Sequence, residues 1–319
     1  MRQLIPAYEF RRRARVRMKP VLPILVLVAL IATLPSLISS TVMLLADANP
    51  TVLSTDLLNR MLQVVEDTSL TDTQVANALS AAQENYYVSL ENFLEDKGPI
   101  LCGLLLFVSV LGPVLNLGLI NAYLHALRKE EFTPAIALSR MSSILRVLGL
   151  YLLIGLKLLA WMLPGIAASI GGVLMMFFSN ADMGLLLILA GLIACCVMGI
   201  MATYRYAMSI YFMADDPTMP VRECIRRSKE VMKKRKMELF SLEISFIGWY
   251  VLLRLAQDLL IGLCGAVIGQ TLGMFAALFL TVYTGCAMTA FYQAYACGRE
   301  DYVEDESDTA DTETEKMTD

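Results

Sequence analysis

MPVRECIRRSKEVMKKRKMELFSLEISFIGWY, residues Met219–Tyr250, is the stretch that decides the fold. Its first half carries eight cations: Arg222, Arg226, Arg227, Lys229, Lys233, Lys234, Arg235 and Lys236. Its second half turns apolar. Val221, Cys224, Ile225, Ser228, Val231 and Met232 recur at three- and four-residue steps, which is one stripe of a helix, and the cations fill the other faces. Lys and Arg between membrane spans hold a loop on the cytoplasmic side, so this helix reads as a topology anchor. It also suits an anionic inner leaflet, where each basic residue near the surface contributes about 1 kcal/mol. Both readings stand for these eight residues.

Working outward, the whole chain has the composition of a membrane protein. Of 319 residues 57% are hydrophobic, and the mean hydropathy is +0.59. A soluble domain holds about 45–50% apolar residues, and here the excess is gathered in long runs. The net charge of −4 hides segregated signs. Basic residues crowd Arg11–Lys19 and Arg222–Lys236, and acidic ones crowd Asp47–Asp96 and the C-terminal tail. The seven cysteines lie mostly in apolar runs, where a thiol behaves as a small hydrophobe, so neither a disulfide framework nor a zinc site is expected.

The runs and breaks give an all-α, six-span transmembrane bundle. Residues 1–19 form a basic cytoplasmic arm, and the first span covers 20–46. Ala46-Asp47-Ala48 has the look of a signal-peptidase site, but the apolar run exceeds the usual 7–15 residues of a signal, so an uncleaved anchor is expected. Residues 47–98 form a small helical extracytoplasmic insertion. Leu57, Leu58, Met61, Leu62 and Val65 make one amphipathic stripe, Thr71-x-x-Gln74 resembles a capping box, and a second stripe runs from Val75 to Phe93. Gly98-Pro99 is expected to break into the second span, 99–127. The third span is 143–178, interrupted at Pro164 by either a kink or a re-entrant break, and the fourth is 183–213. The basic helix fills 217–237, the fifth span 239–262 and the sixth 273–296. The acidic tail, 298–319, has no apolar stripe and is expected to be disordered. Each short inside loop carries Lys or Arg, which places both termini in the cytoplasm and the chain in the cell membrane.

Several segments resemble a known family. YRYAMSIYFMADDP (Tyr204–Pro217), the Ser228–Met232 segment, ELFSLEISFIGW (Glu238–Trp249) and TAFYQAYA (Thr289–Ala296) are similar to the signature of the domain-of-unknown-function 975 family. RRRARVRMKP (Arg11–Pro20) and WMLPGI (Trp161–Ile166) resemble weaker family segments. The chain departs from the pattern at MKKRK, where a glycine is expected after the Met-Lys, and in two expanded segments, Thr51–Gly98 and Ala167–Ala202. The resemblance implies a polytopic bacterial membrane protein and no established activity.

Charges inside spans are costly, at about 2.5–3.5 kcal/mol each on insertion scales, and so mark the sites to examine. Lys157, Arg205, Glu243, Arg254 and Asp258 qualify, with the amides Asn116 and Asn121. Matched depth and opposite sign suggest that Lys157 and Arg254 pair with Asp258, and Arg205 with Glu243. The alternatives are snorkelling or structural pairing on one side and a polar solute path on the other.

With a single histidine, His125, neither an HExxH zinc site nor a Ser-His-Asp triad can be assembled. No catalytic residue, metal ligand or cofactor is expected, and no nucleic-acid partner. The chain reads as a non-catalytic accessory, scaffold or envelope-associated protein. The expected partners are the bilayer, anionic inner-leaflet lipids, and a membrane or extracytoplasmic protein. A small-solute transporter or channel-like subunit is the alternative.

Overall fold

The computed structural model describes residues 6–46, 48, 51–66, 71–178 and 181–297, and all of its regular structure is helical. Helices α1 (Ala7–Met18) and α2 (Leu22–Leu45) are joined by a 3-10 turn at Lys19–Val21. Then come α3 (Thr51–Glu66) and α4 (Asp72–Leu127), and two 3-10 turns, Pro134–Leu138 and Met141–Ser143. Helices α5 (Ile144–Phe178) and α6 (Ala181–Tyr206) form an antiparallel hairpin. Short α7 (Ser209–Asp215), α8 (Val221–Met232), α9 (Lys236–Cys264) and α10 (Ala266–Ala296) complete the chain. The acidic tail expected over 298–319 lies outside the described residues.

Among the described residues six stretches are long and apolar enough to cross a membrane. They are Ala7–Met43, Thr73–Leu127, Pro134–Phe178, Asp182–Asp215, Lys236–Cys264 and Ile268–Ala296. A core needs about 20 residues at 1.5 Å each, and α5 alone runs about 52 Å. Two compact units form: residues 33–112, and residues 1–32 with 113–319.

In the smaller unit, α3 lies along α4, and Asp56, Leu57 and Arg60 share a cleft with Ala82, Asn85, Tyr86 and Ser89. Helix α4 starts with half of the capping box, since the Thr71 amide donates to Gln74 Oε1 at 2.9 Å. Gly98-Pro99 does not break the chain. α4 continues through it as one helix. A proline forfeits one backbone hydrogen bond, and the flanking turns hold the helical path across that gap.

The larger unit concentrates its core at the end that bears the basic segments. Phe10, Leu124, Leu127, Leu150, Met208, Met213, Met232, Phe291 and Tyr292 are fully buried there. Phe10 meets Phe291 and Tyr295 at ring-centroid distances of 5.4 and 5.9 Å, which fastens α1 along the last turns of α10. Toward the other end the helices keep apolar residues on their surface, among them Phe177, Phe178, Leu259 and Leu263. An apolar surface of that extent suits hydrocarbon rather than water.

Further expectations from the sequence change. Pro164 sits inside continuous α5, so there is no re-entrant break. The span expected over 183–213 divides at Ala207-Met208 into α6 and α7. The interruption frees the Arg205 carbonyl from its i+4 partner, and the Ser228 hydroxyl donates to it at 3.2 Å.

The α5–α6 seam depends on glycine. A Cβ on Gly191 would lie 2.8 Å from the Gly165 carbonyl oxygen, and one on Gly184 would lie 2.7 Å from that of Gly172. Backbones in contact at this range tolerate no side chain, the small-residue packing expected of membrane helices. Gly191→Val should therefore cost about 1–3 kcal/mol. A fall in the thermal unfolding midpoint in detergent, larger than that of Gly149→Val, whose site meets no neighbour within 4 Å, checks it.

Candidate functional site

The basic segment begins with a side-chain-to-backbone turn. Asp216 Oδ1 accepts from the Thr218 amide at 2.9 Å and from its hydroxyl at 2.6 Å, and these bonds hold the carboxyl below its ordinary value. Pro220 then caps α8 with an extended backbone. Glu223, in the first turn, accepts from Arg226 Nη2 at 2.7 Å and from Arg227 Nε at 3.1 Å. Both contacts hold its carboxyl below the usual carboxylate range, Arg226 most.

The apolar stripe of α8 faces the protein: Cys224, Ile225, Ser228 and Met232 are buried. The cations divide. Arg222, Arg226, Arg227, Lys233 and Lys234 are exposed. Lys229 Nζ stands 5.6 Å from the centre of the Tyr206 ring. Arg235 lies over Tyr295 at 3.6 Å and pairs with Glu238 at 3.2 Å, and Lys236 is half-buried. The amphipathic pattern alone suits a helix lying in a lipid surface, but here the bundle occupies the apolar stripe. Only the cationic face is free to meet a ligand.

Behind α8 lies a polar network centred on Asp215, at the end of α7. Asp215 Oδ1 accepts from Arg128 Nη2 at 2.6 Å, and Oδ2 accepts from the Tyr292 hydroxyl at 3.1 Å. The Cys297 thiol lies 3.9 Å from the same oxygen. One carboxylate thus joins the end of α4, α7 and the end of α10. Partial burial works against the Arg128 charge, but the hydrogen bond and charge of Asp215 outweigh it and raise the guanidinium above its ordinary value. Arg140 reaches Asn121 Oδ1 at 3.2 Å and the Ala214 carbonyl at 2.9 Å, and Arg146 reaches the Pro217 carbonyl at 2.6 Å. His125 stands against Glu130. In the sequence these arginines read only as charges of a short inside loop, and nothing there singles out Asp215 on its own. The available signal was the Asp215-Asp216-Pro217 run closing a span, where a carboxylate meets the basic ends of neighbouring helices.

The residues singled out inside the spans fall into separate places. Asn116 donates to the Tyr151 hydroxyl at 3.2 Å, and buried Asn121 serves Arg140. Arg254 and Asp258 pair along α9 at 3.5 Å, both well exposed. Arg205 and Glu243 are not brought together. Glu243 accepts from the Tyr204 hydroxyl, while the Arg205 guanidinium lies 5.7 Å from the Trp161 ring. Adjacent residues on a helix point about 100° apart, so with Tyr204 facing α9, Arg205 faces α5. Among the described residues half-buried Lys157 joins no ion pair, and Asp258 pairs with Arg254 instead. Among the described residues no group of three or more His, Cys, Asp or Glu is placed to hold a metal ion.

The fold defines an all-helical protein with six helices able to cross a membrane and a packed, charge-rich end. The chain belongs to the family described as "Protein of unknown function (DUF975)", which it matches over residues 21–296. No curated protein and no solved structure matches it.

Two measurements check the network and the helix beside it. Asp215→Asn should cost about 1.5–3 kcal/mol, the usual worth of a hydrogen bond to a charged group, seen as a lower unfolding midpoint. Burial pushes the Cys224 thiol up to about 11. In a variant that keeps only this cysteine, alkylation at pH 8 should be on the order of a hundredfold slower than in the unfolded chain, since the thiolate is the reacting form. The rate should climb as the pH rises toward 11.

Proposed function

We propose that this is an integral protein of the cell membrane with no catalytic role, a scaffold or accessory component whose termini lie in the cytoplasm and whose α8 presents cations to anionic inner-leaflet lipids. The observation that carries the reading is the division of α8. Its apolar stripe is buried, while Arg222, Arg226 and Arg227 on the helix and Lys233 and Lys234 in the turn that follows it are exposed. Such a face is held by packing, so a lipid phosphate meets it without having to order the helix backbone. The arginines of the 128–146 segment support the same view, because their side chains bind the protein itself.

A second reading, a solute carrier, draws support from Lys157, which has no ion-pair partner among the described residues, and from the exposed Arg254–Asp258 pair. The two readings separate in proteoliposomes, where specific, saturable uptake by the purified protein would overturn the scaffold.

For the lipid surface, the test is native mass spectrometry of protein purified from membranes that contain phosphatidylglycerol and phosphatidylcholine. Phosphatidylglycerol should be retained preferentially. Replacing Arg222, Arg226, Arg227, Lys233 and Lys234 by Gln should abolish the preference with little change in unfolding midpoint, because none of the five is buried. An unchanged preference would refute the assignment. A reporter fused after residue 319 should read the cytoplasm.

A further inference from the structure

Helix α9 turns Leu239, Leu242 and Phe246 into the bundle and leaves its opposite side bare. On that side Ile244, Gly248, Val251, Leu255, Asp258 and Gly262 are all exposed. Their spacing is four, three, four, three and four. That is a heptad seam, the pattern by which one helix packs along another with a left-handed crossing. Added Cβ atoms on Gly248 and Gly262 would meet nothing within 4 Å, so the close approach those glycines allow is not used within the chain. Arg254 flanks the seam one turn before Asp258, and the pair they form, at 3.5 Å, remains 70% and 54% exposed.

Asp258 lies about 9 Å, and Arg254 about 15 Å, from the Cys264 end of α9, whose 29 residues run about 43 Å against a bilayer core about 30 Å thick. Charges on the part of α9 inside that core need a protein or water surround rather than lipid. We propose that the α9 seam packs against α9 of a second copy of this chain. The charges select that occupant. A two-fold axis along the membrane normal sets two parallel α9 helices side by side. Each Arg254 then reaches the Asp258 of the other copy, and both contacts form together. The face is self-complementary, as an isologous interface must be. It satisfies with one symmetric contact the two groups that the single chain leaves at its surface. The proposal rests on α9 crossing the bilayer and is independent of whether the protein is a scaffold or a carrier.

The experiment uses the full chain with two different tags, co-expressed and captured through one of them. In native membranes Val251→Cys should form an intermolecular disulfide under mild oxidation. Trp249→Cys, also exposed but on another side of the helix, should not. Arg254→Asp and Asp258→Arg should each reduce capture of the same variant about tenfold. Co-expressed, the two variants should capture each other as well as two wild-type copies do. Four results would overturn the second copy: a monomer in nanodiscs, absence of the residue 251 crosslink, a crosslinked adduct whose mass is not twice that of the chain, or variants that capture themselves like wild type. Should the charge variants fail to fold, the cysteine pair decides alone. Labelling of Val251→Cys by a membrane-impermeant maleimide would instead refute α9 as a span, and with it the six-span reading.

Discussion

Asp215 accepts from Arg128 and from Tyr292 at the same time, and the charge-rich end of the larger unit closes around that contact. Its donors come from the ends of α4 and α10, which are far apart in sequence. A helix that leaves an apolar medium exposes its last carbonyls and its flanking charges together. Here those groups are satisfied by one another. Arg140 and Arg146 take the carbonyls of Ala214 and Pro217, Ser228 takes that of Arg205, and Arg235 lies between Glu238 and Tyr295. Such a network makes the end rigid even though Arg140 Nε is buried without a hydrogen-bond partner among the described residues; with one member removed, it leaves a half-buried charge without a partner.

That closure separates cations that hold the fold from cations left free. Arg128, Arg140, Arg146, Lys229 and Arg235 all engage protein groups. Arg222, Lys233 and Lys234 face outward, as do Arg226 and Arg227 beyond their shared contact with Glu223. Packing does a comparable job away from the charges. The α5–α6 hairpin needs glycine at its points of backbone contact, and its remaining surface stays apolar. In water that surface would be a liability, and in hydrocarbon it costs nothing.

How far the candidate site could be read in advance differed by residue. The contact between Arg254 and Asp258 follows from a four-residue spacing on one helix, and such spacing is visible in a sequence. Arg205 with Glu243 looked equally sound because their depths match. Depth, however, is only one coordinate, and rotation about the helix axis gives Glu243 to Tyr204 and sends Arg205 over Trp161. In the sequence the α5–α6 glycines are only interruptions of an apolar run, since a sequence shows the missing side chain and not the backbone that fills its place.

From the amino acids alone came the properties that are local or additive: the helical class, the six apolar stretches, the amphipathic character of α8 and the family to which the chain belongs. Periodicity, run length and composition are written along the chain, so folding is not needed to read them. Only the tertiary structure decided which face of α8 remains free, which arginines Asp215 and the carbonyls take up, and that α4 and α5 pass unbroken through Pro99 and Pro164. Those outcomes depend on which partner stands at contact distance once the helices are packed, and a linear pattern does not contain that distance.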